Sequence, residues 1–183
     1  FWKDEASVWA YVVTLGEYYD DERIHFNMGE LIPDECLEDI DILKLLLKFN
    51  CDELISDLSE DQKADSTIVF AALEGVQREI EYRGMDEREC LKYLIDNISV
   101  KLASDKKFIL EFLEFEYSYR GLDLIYDWID KELWKDKEFV IAVLENDSDA
   151  LEYVSEELMS DEEFKNLNEE LENFSLFTII SLS

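Results

Sequence analysis

The sequence of 183 residues has little turn-forming chemistry and little positive charge. It contains one proline, five glycines and one histidine, and its 17 basic residues stand against 47 acidic ones, for a formal net charge of −30. So few glycines and prolines leave little material for β-hairpin turns, which favours helices with short connections. Such a negative field repels nucleic acids and anionic membranes and attracts basic protein surfaces. We therefore expect a basic protein partner, with no direct binding to nucleic acid or membrane.

Groups that could form disulfides or metal sites are also scarce. The three cysteines, Cys36, Cys51 and Cys90, form no Cys-x-x-Cys pair and lie in apolar helical contexts. This pattern predicts reduced, buried thiols in the cytosol rather than a disulfide or a zinc site. The sequence shows no leader-like start and no apolar run of membrane-span length. We therefore expect a cytoplasmic protein of a bacterium or of a phage-infected host.

The apolar content is high enough for a folded core beneath the acids. Apolar residues make up 48% of the chain, including eleven Phe, nine Tyr and four Trp, which is too many for a disordered acidic tail. The net charge is −12 over residues 1–60, −4 over 61–120 and −14 over 121–183. We divide the chain into an acidic N-terminal helical segment, 1–64, and a helical-repeat region, 65–183, within one continuous domain.

A motif, Leu-x-x-Asp-x-x-Phe, occurs three times in the second half. The copies begin at Leu102, Leu133 and Leu158, and each has a β-branched apolar residue four positions before its leucine. A degraded copy is expected at residues 58–64. The apolar pair spaced i, i+4 closes one helix, the aspartate is a good N-cap for the next, and the phenylalanine begins a new apolar stripe.

These features predict an all-α fold. We expect an irregular array of short helix pairs, similar to an α-solenoid, with a strand as the alternative for residues 8–15. Two further apolar stripes at helical spacing support this interpretation. The first contains Ile68, Val69, Ala72, Leu73, Val76 and Ile80, and the second contains Cys90, Leu91, Leu94, Ile95 and Ile98.

The repeated motif resembles a short bacterial helical repeat catalogued as domain of unknown function 4116. Members of that family begin Asp-Lys-Glu-Phe-Val and continue into a second helix rich in leucine and tyrosine. The best match here begins at residues 136–140 and runs through 151–158 to 161–164, and the resemblance covers about 95–165. It implies a helical-repeat fold. The family has no established chemistry, so the resemblance implies no site residues.

Residues typical of catalysis or metal binding are not arranged in a motif that has a mechanism. His25, the single histidine, has no nucleophile motif around it, and no phosphate-binding loop occurs. Asp147-Ser-Asp149 lacks the glycine and the glutamate spacing of a calcium loop, so a helix N-cap is the preferred interpretation. Most aromatic residues are assigned to the core, because base stacking needs a basic groove. We predict no enzyme activity, no cofactor and no metal.

Two functions fit these observations. The first is an inhibitor that mimics DNA and occupies the nucleic-acid-binding surface of a basic enzyme; the composition resembles anti-CRISPR, anti-restriction and nuclease-immunity proteins. The second is a non-inhibitory helical-repeat adaptor or scaffold. For the inhibitor, the partner-binding residues are expected in the two acidic ends of the chain. They are Asp20, Asp21, Glu22, Asp34, Glu35, Glu156, Glu157, Asp161, Glu162 and Glu163.

Overall fold

A computed structural model describes residues 37–48, 54–78, 80–81, 84–115 and 121–168, and this part of the chain is helical, without strands. The predicted all-α array of short helices is confirmed. The strand considered for residues 8–15 lies outside the described residues. The chain divides into two compact units, Phe1–Val100 and Lys101–Ser183. The predicted segments 1–64 and 65–183 stay predictions, because residues 1–36 lie outside the described part.

The first unit has a core of aliphatic side chains between short helices. Its elements are α1 (Ile40–Leu47), a 3-10 helix (Ile55–Asp57), α2 (Glu60–Lys63), α3 (Ser66–Arg78) and α4 (Glu87–Asn97). Helix α3 packs against α1 and α4. Its buried face includes Ala71, Ala72 and Gly75, and such small residues let neighbouring helices approach closely.

The two apolar stripes predicted for α3 and α4 are confirmed as buried, except at Ile80, which is half-buried. Cys90 is a buried thiol in α4, as predicted. Cys36 and Cys51 lie outside the described residues.

The second unit continues the same alternation of short helices. Its elements are a 3-10 helix (Val100–Ser104, which begins at the last residue of the first unit), α5 (Lys106–Glu114), α6 (Leu122–Trp128), a 3-10 helix (Leu133–Lys135), α7 (Lys137–Leu144), a 3-10 helix (Ser148–Tyr153), α8 (Glu156–Met159) and α9 (162–168). Helix α7 lies at the centre, in contact with α5 and with both neighbouring 3-10 helices. Gly121 precedes α6 with φ at 119°, a left-handed conformation that glycine adopts most readily.

The same type of N-cap begins a helix in every copy of the motif. An aspartate carboxylate accepts a hydrogen bond from the backbone N–H three residues later, at 2.8–3.3 Å. This cap satisfies an amide proton that has no partner inside the helix, and it places negative charge at the helix's positive end. The caps predicted from the motif are confirmed, and three further ones precede them. The capping residues are Asp39, Asp65, Asp86, Asp105, Asp136 and Asp161.

The register expected for the degraded copy at residues 58–64 is wrong by four residues. Asp61 lies inside α2, whereas Asp65 caps α3 through the N–H groups of Thr67 and Ile68. Ile68 therefore takes the place that phenylalanine has in the other copies. The motif was not recognised here because Gln62 also replaces its leucine.

The described residues contain four repeats, each counted from six residues before its capping aspartate. Repeat 1 is 59–98, repeat 2 is 99–129, repeat 3 is 130–154, and repeat 4 is described over 155–168. A buried aliphatic residue directly precedes each repeat. These residues are Leu58, Ile98, Ile129 and Val154.

The lengths of repeats 1 to 3 differ because both helices after the capping aspartate, and the connections around them, differ in length. The helix that follows the cap shortens from 13 residues in α3 to 9 in α5 and 8 in α7. The last helix of the repeat shortens from 11 residues in α4 to 7 in α6 and 6 in the 3-10 helix Ser148–Tyr153. None of the described helices has both the length and the apolar content needed to cross a bilayer.

Candidate protein-binding surface

Consecutive repeats are joined by a backbone hydrogen bond at an equivalent position. The first residue of each repeat donates its N–H to a backbone carbonyl of the preceding repeat. The acceptor lies two positions before the capping aspartate of that preceding repeat. The N···O distances are 3.0 Å for Ser99 to Lys63, 2.9 Å for Asp130 to Ala103 and 3.1 Å for Ser155 to Trp134. Because donor and acceptor keep their distance from the caps, the bonds of Asp130 and Ser155 set the register of one repeat on the previous one within the second unit. We call each such junction a seam.

Lys106 adds an ionic contact across the seam between repeats 2 and 3. Its Nζ lies 3.1 Å from both carboxylate oxygens of Asp136 and 3.4 Å from Oε2 of Glu138. Partial burial opposes the charged form of Lys106, but the hydrogen bond and charge of Asp136 and then those of Glu138 outweigh it, so its pKa is raised. The pKa of Asp136 is lowered, chiefly because its carboxylate accepts the N–H of Phe139, with Lys106 contributing.

Lys137 makes the equivalent contact across the seam between repeats 3 and 4. Its Nζ lies 2.8 Å from Oε2 of Glu163 and 3.9 Å from Oδ1 of Asp161. Both lysines directly follow a capping aspartate, and both contact the next capping aspartate and the acid two residues after it. We call Lys106 and Lys137 the seam lysines. The sequence contains a signal for these contacts, because Asp-Lys-x-Phe in one repeat is followed by Asp-x-Glu-Phe in the next. This pairing was not recognised from the sequence.

Five of the ten predicted partner-binding residues are described, and all five have exposed side chains near the end of the second unit. Glu156 and Glu157 lie in the first turn of α8, which Ser155 caps through the N–H of Leu158. The other three lie at the start of α9, where Asp161 caps the helix through the N–H of Phe164. The five described residues are Glu156, Glu157, Asp161, Glu162 and Glu163.

The five acids differ in whether a lysine of the same chain forms an ion pair with them. Asp161 and Glu163 contact Lys137, and Glu162 lies 3.1 Å from Lys165 in its own helix. Within the described part of the chain, no such ion pair involves the two glutamates of α8. The remaining predicted residues, Asp20, Asp21, Glu22, Asp34 and Glu35, lie outside the described residues.

Cations in this region are far too few to balance its acids. Residues 121–168 contain fifteen Asp and Glu but only four Lys. Three of these lysines already make ion pairs with acids of the same unit, and they are Lys135, Lys137 and Lys165. The surface therefore stays strongly negative after internal pairing, and it can attract a basic surface from a distance.

An aromatic cluster fills the core beside this surface. Trp134 stacks on Tyr153 with ring centroids 5.5 Å apart and meets Tyr126 and Phe139 edge to face, both at 5.7 Å. Such pairs add stability beyond their buried area. The assignment of most aromatic residues to the core is confirmed for these rings, since Trp134, Tyr126 and Phe139 are at most 4% exposed.

Asp147 has the capping role predicted for it. One of its carboxylate oxygens accepts the N–H of Asp149 at the start of the last 3-10 helix, and the other accepts the Tyr126 hydroxyl proton at 2.8 Å. Burial and then the carboxylate of Asp147 raise the pKa of the Tyr126 hydroxyl. Among the described residues, no group of three or more His, Cys, Asp or Glu side chains could hold a metal ion.

The indole N–H of Trp134 is buried without a hydrogen-bond partner. The only polar group on this side chain therefore lies among aromatic rings. An N–H next to a ring face gains a weak N–H···π attraction, which offsets part of the loss of water.

Comparison with known proteins gives a family match within the second unit. The family model described as Domain of unknown function (DUF4116) matches residues 105–159 and again 136–166. The two matches begin at the capping residues Asp105 and Asp136, so the second is the first moved by one structural repeat. The expected resemblance is therefore supported over about a third of the chain. Comparisons with curated proteins and with solved structures give no match.

Proposed function

We propose that this chain is a helical-repeat protein that binds a basic protein surface through the acidic surface around α8 and α9. The particular role we propose is inhibition, in which the acids occupy the nucleic-acid-binding surface of a basic enzyme. The main support is the charge balance, because fifteen acids in residues 121–168 face four lysines, three of which are already paired internally. The proposal assigns no catalytic step to the chain.

A surface of this kind is suited to binding a partner rather than to catalysis. Complementary fields raise association rates and disfavour partners of like charge, including nucleic acids. An enzyme that binds DNA or RNA presents many Lys and Arg side chains in one channel, which is the surface that such a field attracts most strongly. The inhibitor would then compete with the substrate for those side chains.

Glu156 and Glu157 are the acids we expect to contribute most to binding. A partner cation that approaches Asp161 or Glu163 has to compete with Lys137. Within the described residues, no ion pair of this kind involves either glutamate, and the charge of Lys135 acts on Glu157 only from a greater distance.

An inhibition assay with purified enzymes tests the proposal. A restriction endonuclease, a CRISPR effector nuclease and a toxin-type nuclease would each cleave a fluorescent duplex with and without the chain. We expect at least one to be inhibited, with the inhibition relieved by excess duplex and weakened at least about tenfold between about 50 and 200 mM salt. The variant E156Q/E157Q should inhibit several-fold more weakly.

A charge-matched control separates a local contact from the overall field. E114Q/D127Q removes two exposed acids from other helices of the same unit and should leave inhibition nearly unchanged. If the two double variants weaken inhibition equally, the surface around α8 is not the binding site. Binding that is insensitive to salt, without inhibition, would instead favour the adaptor.

A further inference from the structure

The ionic contacts of the second unit fall into two classes. Those of Lys107, Lys135 and Lys165 join residues three or four apart, and such exposed pairs contribute little to stability. The seam lysines instead join different repeats. Their side chains are 33% and 28% exposed, against 46–85% for the lysines paired within a helix.

Each seam lysine lies between carboxylates that would otherwise repel one another. In the seam between repeats 2 and 3, the single charge of Lys106 faces both Asp136 and Glu138. The surrounding surface offers few other cations, since acids outnumber lysines fifteen to four in residues 121–168. Removing the lysine therefore leaves an uncompensated pair of negative charges at the junction.

We propose that Lys106 and Lys137 are electrostatic clasps that hold repeats 2, 3 and 4 in register, so that without them the stacking of these repeats depends on dissolved cations. The clasp position is not occupied by lysine everywhere. Ser66 takes it after Asp65, and Glu162 takes it after Asp161. The bond from Ser99 to Lys63 lies inside the first unit and next to Ser66 rather than a seam lysine, which makes it an internal reference.

Hydrogen exchange of three backbone amides tests this inference in the full chain. The amides of Asp130 and Ser155 donate across the two clasped seams, and that of Ser99 donates across the seam without a clasp. At low ionic strength, K106M should speed exchange at Asp130 and K137M at Ser155, by about fivefold. Both effects should nearly vanish at about 1 M salt, where the Debye length is about 3 Å.

Two sets of variants distinguish the loss of the ionic contact from a general effect of substituting lysines. K107M/K131M removes two exposed lysines of the same unit that do not join repeats, and all three amides should exchange as in the parent chain. K106R and K137R keep the charge and should restore slow exchange. The proposal is overturned if the control accelerates the same amides, if the Ser99 amide responds equally, or if high salt leaves the acceleration in place. An effect on inhibition alone, with unchanged exchange, would also contradict it and would leave the proposed function standing.

Discussion

Repeat 1 and repeat 3 have the same joints but very different cores. Both begin with a short helix, both place an aspartate cap before the next helix, and both accept the same backbone hydrogen bond from the following repeat. Repeat 1 buries small side chains such as Ala71 and Ala72 in α3, whereas repeat 3 buries Trp134 and Phe139. The difference shows that local capping and seam bonds define the repeat, while the volume of its core is free to vary.

The largest expected effect comes from emptying the aromatic core of repeat 3. W134A should lower the free energy of unfolding by about 3–5 kcal/mol, because it removes a buried ring system that contacts three other rings. Urea unfolding followed by far-UV circular dichroism measures this loss.

W134F is the matched control for that substitution. It keeps an aromatic ring and removes an N–H that has no partner, so it should lower the free energy of unfolding by only about 1 kcal/mol. Equal losses for W134A and W134F would mean that the indole N–H is satisfied and that the ring contributes little.

A smaller effect is expected from overfilling the close-packed core of repeat 1. A72L adds volume at a position with no exposed surface, where α3 packs against its neighbours, and should lower the free energy of unfolding by about 1–3 kcal/mol. V143L changes the equivalent position of repeat 3 by one methylene and should lower it by less than about 1.5 kcal/mol. If A72L leaves the free energy of unfolding unchanged and V143L lowers it more in the same urea titration, the core of repeat 1 is not the more tightly packed of the two.

The smallest expected effect on the free energy of unfolding comes from removing the aspartate caps, which both repeats have. D65A and D136A should each lower the free energy of unfolding by about 1 kcal/mol at pH 7. The pKa of Asp65 is lowered chiefly by its hydrogen bond with the Thr67 hydroxyl, and that of Asp136 chiefly by the N–H of Phe139. A lowered pKa in the folded state stabilises the fold above the unfolded value of about 3.9 and stops doing so as the pH falls through the folded value.

The two alanine variants should therefore approach the parent chain in stability as the pH falls below about 4. Melting temperatures measured at intervals from pH 7 to acid conditions check this convergence. D136N keeps a good capping side chain and removes the charge, so it should retain most of the stability at pH 7. A gap between D65A and the parent that is independent of pH would show that the charge of the cap contributes nothing.

Local features of this fold could be predicted from the sequence, and features that join distant residues could not. The caps at Asp105, Asp136 and Asp161 depend on residues three positions apart, so their spacing was readable. The seam bonds join residues 21 to 36 positions apart through backbone atoms, as Ser99 does with Lys63, and no side-chain pattern marks them.

For the candidate site, composition indicated the acidic surface but not how it is organised. The exposure of Glu156 and Glu157 followed from their charge, whereas the engagement of Asp161 and Glu163 by Lys137 required the stacking of two repeats. The degraded copy was placed four residues early because Gln62 and Ile68 replace both the leucine and the phenylalanine of the motif.

The constant part of each repeat is only the segment from its first residue to its capping aspartate. That segment contains the seam donor and acceptor, while all variation in length among repeats 1 to 3 lies beyond it. Insertions and deletions after the capping aspartate therefore change the outer surface of a repeat without disturbing the hydrogen bonds that join it to its neighbours. The surface of each repeat can vary in this way while the joints stay the same.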